Sequence, residues 1–166
     1  MVCDIQYALG DMTLYLVRHA SAGARGSLGP DDDLSRPLDA LGHDQAAAVV
    51  ELLGSVGVEA IYSSAAVRCV ETVHPLADAL DLDVEVHQAL LEGQSATMAI
   101  HLGRTLAAEG TTAVFSSHGD IIPDMIQTLA REGMVIVGQR AWAKGSTWEI
   151  RTRGGDLTEA HFLGPF

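Results

Sequence analysis

The chain is poor in lysine, cysteine and long apolar runs, and each shortage closes off a class of protein. Lys144 is the single lysine, and Lys and Arg together number 10 against 22 Asp and Glu, a formal net charge of −12. That balance excludes a basic groove for nucleic acid and a polybasic membrane-binding surface. It also leaves no string of basic side chains for a polyphosphate. The 2 cysteines, Cys3 and Cys69, provide neither a disulfide framework nor a metal-ligand spacing, and a cytoplasmic location is expected. No run of about 18 apolar residues exists, which excludes a membrane-spanning helix. No basic segment followed by an apolar one opens the chain, so no signal peptide is expected.

What remains is globular: 166 residues, 48% apolar and 19% charged. Such a chain is expected to fold as one domain, 1–166, with a sizeable core. The leader MVCDIQYALGD (1–11) is poorly patterned and reads as an extension or a misplaced start, because Met12 stands directly before the first good strand.

The apolar run 12–17 predicts a buried strand, and 23–33, rich in Gly, Asp and Pro, a loop. Helical spacing begins at Leu41 and stops near Gly54 and Gly57. A strand at 59–64 ends in Ser63-Ser64, residues suited to cap the helix at 65–80, which Pro75 should bend or interrupt. A short strand (83–87), a helix (95–110), a strong strand (111–120) and a helix (121–133) follow, with Pro123 tolerated in the first turn. The terminal stretch predicts a β-hairpin turning at Gly154-Gly155. Alternating strands and helices imply an α/β fold, a three-layer α/β/α sandwich with a mainly parallel central sheet.

In such sheets ligands bind beyond the carboxyl ends of the strands. Arg18-His19 follows the first strand, Arg68 the second, Glu92 the third and His118-Gly119 the fourth. Ionisable groups far apart in sequence are thus expected at one rim. Two His, two Arg and a Glu suit phosphoryl transfer. Arg matches phosphate oxygens with a planar fork. Neutral imidazole is a nucleophile whose phosphorus adduct can be hydrolysed. A second imidazole stabilises the oxygen charge, and a carboxyl group protonates the leaving oxygen. This chemistry requires no metal and no cofactor. The acidic body repels anions at long range, so the site has to be a local cluster of cations.

LVRHA, SSAAVRCVETV and SSHGD, in that order, resemble the histidine phosphatase superfamily, also called phosphoglycerate mutase-like. The likeness runs from Met12 to about Ile150. It implies that His19 is the nucleophile, that Arg18, Arg68 and His118 form the phosphate pocket, and that Glu92 in LLEGQ is the acid. SRPLDALG (35–42) is similar to a small single-domain branch containing bacterial phosphohistidine phosphatases and Nudix-associated phosphatase modules, which adds Arg36 to the pocket; its other reading is a loop ion pair with Asp31–Asp33. The residue after His19 is Ala20 where the family usually has Gly. Ser21-Ala22-Gly23 replaces polar residues with which mutases hold their substrate.

The expected function is metal-independent removal of a phosphoryl group through a phosphohistidine on His19. The expected partner is a small phosphorylated substrate or a phosphohistidine protein. A mutase and a non-catalytic phosphate-binding module are the alternatives, the latter favoured if Glu92 lies far from the pocket. Arg25 divides evenly between a substrate contact and a solvated charge, and the segment Ala24 to Arg36 reads as a flap. Met98 and Met125 are core candidates. Cys69, beside Arg68, is either a thiol of lowered pKa or a buried helix residue.

Overall fold

A computed structural model describes residues 11–29 and 32–164. The leader at 1–10, Cys3 and Asp31 lie outside the described residues.

Among the described residues, seven strands form one sheet in the order β3-β2-β4-β1-β6-β7-β5. They are β1 (Thr13–Arg18), β2 (Ala60–Ser63), β3 (Val84–Val86), β4 (Ala113–Ser117), β5 (Val135–Val137), β6 (Thr147–Arg153) and β7 (Asp156–Gly164). β1 pairs with β4, β2 with β4 and with β3, and β5 with β7, all in parallel; β6 alone runs against its neighbours β1 and β7. The sheet is therefore mainly parallel, as the strand–helix alternation implies.

Side-chain alternation along β1 divides the core in two. Leu14 and Leu16 face a cluster built from α3 (Ala96–Glu109) and α4 (Ile121–Arg131), with Phe115 and Trp148 at its centre. Tyr15 and Val17 face a cluster built from α1 (Ala40–Leu53) and α2 (Val67–Leu80). Helices cover both faces, and each fully buried Leu of β1 contributes about 2 kcal/mol by leaving water.

Local signals work at several ends. Asp39 caps α1 by accepting from the Gly42 amide at 2.9 Å. Ser95 caps α3, and Gly110 closes it in the left-handed conformation. Gly154 and Gly155 both adopt positive φ at the hairpin turn between β6 and β7.

Other expectations need correcting. α2 runs unbroken through Pro75. That residue is exposed, so the Glu71 carbonyl deprived of its partner is on the wet side of the helix. Neither serine caps α2, whose N-cap is Ala66 with no side-chain bond. Met98 is 44% exposed, whereas Met125 is buried as expected. β5, three residues on an edge, is an addition that the sequence reading lacked.

Candidate active site

β1 and β4 are neighbours, so the residues that follow them emerge side by side at the carboxyl rim. Arg18 ends β1 and pairs in register with Ser117, which ends β4. The rings of His19 and His118 lie 5.5 Å apart, nearly edge to face. This spacing is close to the strand separation of a sheet. Ninety-eight residues of chain lie between the two histidines, and a hydrogen-bond ladder sets their distance.

The backbone around His19 is fastened at every peptide. Arg18 N donates to the Ser146 carbonyl and His19 N to the Ser117 carbonyl, both at 2.9 Å. Ala20 N donates to Thr72 Oγ1 at 2.9 Å, and Thr72 in turn donates to the Arg68 carbonyl at 2.6 Å. Ser21 N donates to Gln45 Oε1, and its hydroxyl donates to Asp39 Oδ2, each at 2.8 Å. The first turn of α1 can pack here because position 42 is glycine: a Cβ there would lie 1.9 Å from the Ser21 carbonyl oxygen. That contact is the physical reason for the glycine in SRPLDALG.

Within this frame His19 is 6% exposed. Its Nδ1 stands 2.9 Å from the Ala20 carbonyl, an oxygen that can only accept. The proton therefore sits on Nδ1, and Nε2 keeps a free lone pair. Burial, with Arg68, His118 and Arg18 adding positive charge nearby, pushes the His19 pKa down to about 3. His118 is pushed down to about 4 by burial and by Arg68. Both rings are neutral at pH 7. His118 accepts from Arg68 Nη2 at 3.4 Å through Nδ1 and lies 2.8 Å from Ser64 Oγ through Nε2. Cys69 packs behind it, with Sγ 3.5 Å from His118 Nε2. Burial drives that thiol up to about 12, so it is the buried helix residue and not the lowered thiol.

Arg68 is fully buried. Its Nη1 donates to the Asp33 carbonyl at 2.8 Å and lies 3.2 Å from the Asp33 carboxylate. Its Nη2 meets Glu92 Oε2 at 3.1 Å. Glu92 thus stands on the guanidinium fork. Arg18 donates through Nη1 to the Trp142 carbonyl and lies over Gly119. The Nε–H groups of both Arg18 and Arg68 are buried and have no partner among the described residues. Leaving charged donors unpaired is costly, and an anion at this rim would satisfy them.

The flap differs from expectation. Arg25 is exposed and bonds Glu92 Oε1 at 2.5 Å. Arg36 is buried, but its guanidinium bonds the Asp33 carboxylate at 3.0 Å and the Gly23 carbonyl at 2.7 Å. No hydrogen bond joins Arg36 to His19 or His118 among the described residues; the contacts it makes include the loop ion pair with Asp33. Its partner Asp33 is also the partner of Arg68. Sequence reasoning missed that bridge, although Asp33 three residues before Arg36 was a usable signal. It also missed Thr72, one helical turn beyond Arg68, and Asp120, which accepts from the Gly93 amide at 2.7 Å and so ties the Glu92 loop to α4.

The profile of the histidine phosphatase superfamily (branch 1) matches residues 14–99. The chain belongs to this superfamily. A curated relative, the 8-oxo-(d)GTP phosphatase of Mycolicibacterium smegmatis, is 34% identical over 158 residues, 92% of this chain and 48% of the relative. The chain thus spans about half the length of that protein. Among solved structures, SixA from Nakamurella multipartitia superposes with a TM-score of 0.71 at 22% identity, covering 95% of this chain and 96% of that one. The protein histidine phosphatase SixA complexed with tungstate gives 0.68 at 21%, covering 92% and 95%. These likenesses establish the phosphoglycerate mutase-like fold.

Proposed function

We propose that this histidine phosphatase removes a phosphoryl group from a phosphorylated small molecule or a protein phosphohistidine, without a metal, through a covalent intermediate on His19. The observation that carries the proposal is the pair of unpartnered, buried Nε–H donors of Arg18 and Arg68 beside a neutral imidazole with a free Nε2 lone pair.

The two guanidinium groups hold the phosphoryl oxygens and leave phosphorus facing His19. Nε2 attacks phosphorus while the bond to the leaving oxygen or nitrogen breaks. Glu92 is the acid that supplies a proton to the leaving atom. The arriving negative charge favours protonation of His118, which then donates to a phosphoryl oxygen as charge builds there. Water next attacks the phosphohistidine. Its proton returns to Glu92, the N–P bond breaks, and phosphate leaves with the Nε2 lone pair restored.

The alternatives are weakened by particular contacts. A non-catalytic phosphate-binding module is favoured by a distant Glu92, and this carboxylate is 3.1 Å from Arg68. A mutase needs substrate-holding side chains after His19, and the Ser21 hydroxyl is committed to Asp39.

The test is turnover of an aryl phosphate by the wild type and by His19→Ala, with acid-quench trapping of labelled phosphate on the protein. Turnover and trapped label in the wild type, both lost in the variant, are expected. Equal turnover by the two proteins would overturn the proposal.

A further inference from the structure

Beyond the arginine fork the structure opens a second space. A cavity of about 510 Å³ lies between the flap and the turn that carries Glu92. Asp33 and Glu92 line it, and the same two carboxylates hold Arg68, so this cavity begins where the phosphate pocket ends. Its volume is that of an ordinary small-molecule site. On the phosphatase reading Glu92 is the acid at the leaving atom, and Glu92 lines this cavity, so the leaving group reaches into it.

The lining says what kind of leaving group fits. Leu34 and Leu91 supply apolar surface. Gly26, Gly29 and Gly93 all have positive φ, and at each the position of a Cβ is open space. These are bare backbone faces against which a planar group can lie. The charge is unfavourable for a second anion. Asp33 and Glu92 present two carboxylates whose partners Arg36 and Arg68 are buried behind them, and Arg25, the one cation in the lining among the described residues, is already engaged by Glu92.

We infer that this cavity is a leaving-group subsite for a flat, uncharged group of aryl or nucleoside size, and that its carboxylates reject substrates carrying a second phosphate. The inference rests on the phosphatase reading above and adds the substrate class. Specificity here is negative: a diphosphate must put charge against Asp33 and Glu92, or break the Arg25–Glu92 pair to find a cation.

The test uses the full chain. Values of kcat/KM are measured for 4-nitrophenyl phosphate, a nucleoside 5′-monophosphate and the matching 5′-diphosphate. The two monophosphates are expected to exceed the diphosphate by roughly 10-fold or more. Gln94→Lys and Leu34→Arg each add a cation to the cavity wall at exposed positions outside the reacting groups. Each is expected to raise the ratio of diphosphate to monophosphate kcat/KM by roughly 10-fold. A wild type that uses the diphosphate as well as the monophosphates, or cation variants that leave the ratio unmoved, would overturn the inference alone. Absence of any turnover dependent on His19 would overturn the phosphatase reading and this inference with it.

Discussion

Gly119 lies beneath Arg18 so closely that a Cβ at position 119 would fall 2.7 Å from the guanidinium carbon. The glycine that follows His118 is therefore a steric requirement of another residue, one on the neighbouring strand. Arg18 can lie flat across the rim only because nothing projects from position 119.

Gly119→Ala is accordingly expected to displace the Arg18 fork and leave the fold intact, since the backbone there needs no positive φ. The expected loss in kcat/KM is on the order of 100-fold, the usual cost of a displacement of about 1 Å in a positioned group. Circular dichroism and thermal melting should match the wild type. Wild-type kcat/KM in the variant would show that Arg18 has another resting place.

Arg36 and Asp33 are expected to behave as one unit. Arg36 holds Asp33, and Asp33 holds Arg68. Arg36→Ala should lower kcat/KM by roughly 10-fold and weaken inhibition by orthophosphate, as hydrogen bonds to charged groups are each worth about 1.5–3 kcal/mol. Asp33→Asn should do the same, and the double variant should be no worse than either single one. Additive losses would instead place Arg36 directly on the phosphate.

The two imidazoles make stability depend on pH. Their pKa values in the folded chain, about 3 for His19 and about 4 for His118, lie below the ordinary 6.5. Between these limits the unfolded chain binds protons that the native chain does not, so lowering the pH favours unfolding. Their contribution is fully present above pH 6.5 and is lost progressively as pH falls towards 4 and then 3. Asp33, held below its ordinary 3.8 chiefly by Arg36, adds loss only at the acid end of that window. Urea unfolding from pH 8 to 4 should show the decline, and His118→Asn should flatten it. Proton NMR should find these two rings not titrating between pH 8 and 5; an ordinary midpoint for either would refute the assignment.

Much of the rim was legible because a parallel sheet brings the ends of its strands to one side. Residues that follow such strands must meet, whatever their separation along the chain, and Arg18, His19, Arg68 and His118 do. The flap was not legible for the complementary reason. Its shape depends on ion pairs between positions as distant as Arg25 and Glu92, and no local pattern encodes which of several carboxylates each arginine takes. Asp33 and Arg36 are the clearest case: the motif announces an arginine near the pocket, yet only the fold shows that a carboxylate stands between it and Arg68. Met98 misled for a simpler reason. Helical periodicity gives the apolar stripe of α3 but not which part of that stripe the sheet covers. β5 has three apolar residues and no alternation long enough to separate it from a loop.

The site is thus made of two materials. A ladder of backbone bonds sets the distance between His19 and His118, and side-chain ion pairs set the shape of the flap. A backbone ladder is indifferent to which side chains decorate the loops beyond it. Mutation can therefore rewrite flap residues other than Asp33 in the course of descent while the reacting pair stays in register. Relatives that diverge in what they accept are expected to differ in the flap long before they differ at the rim.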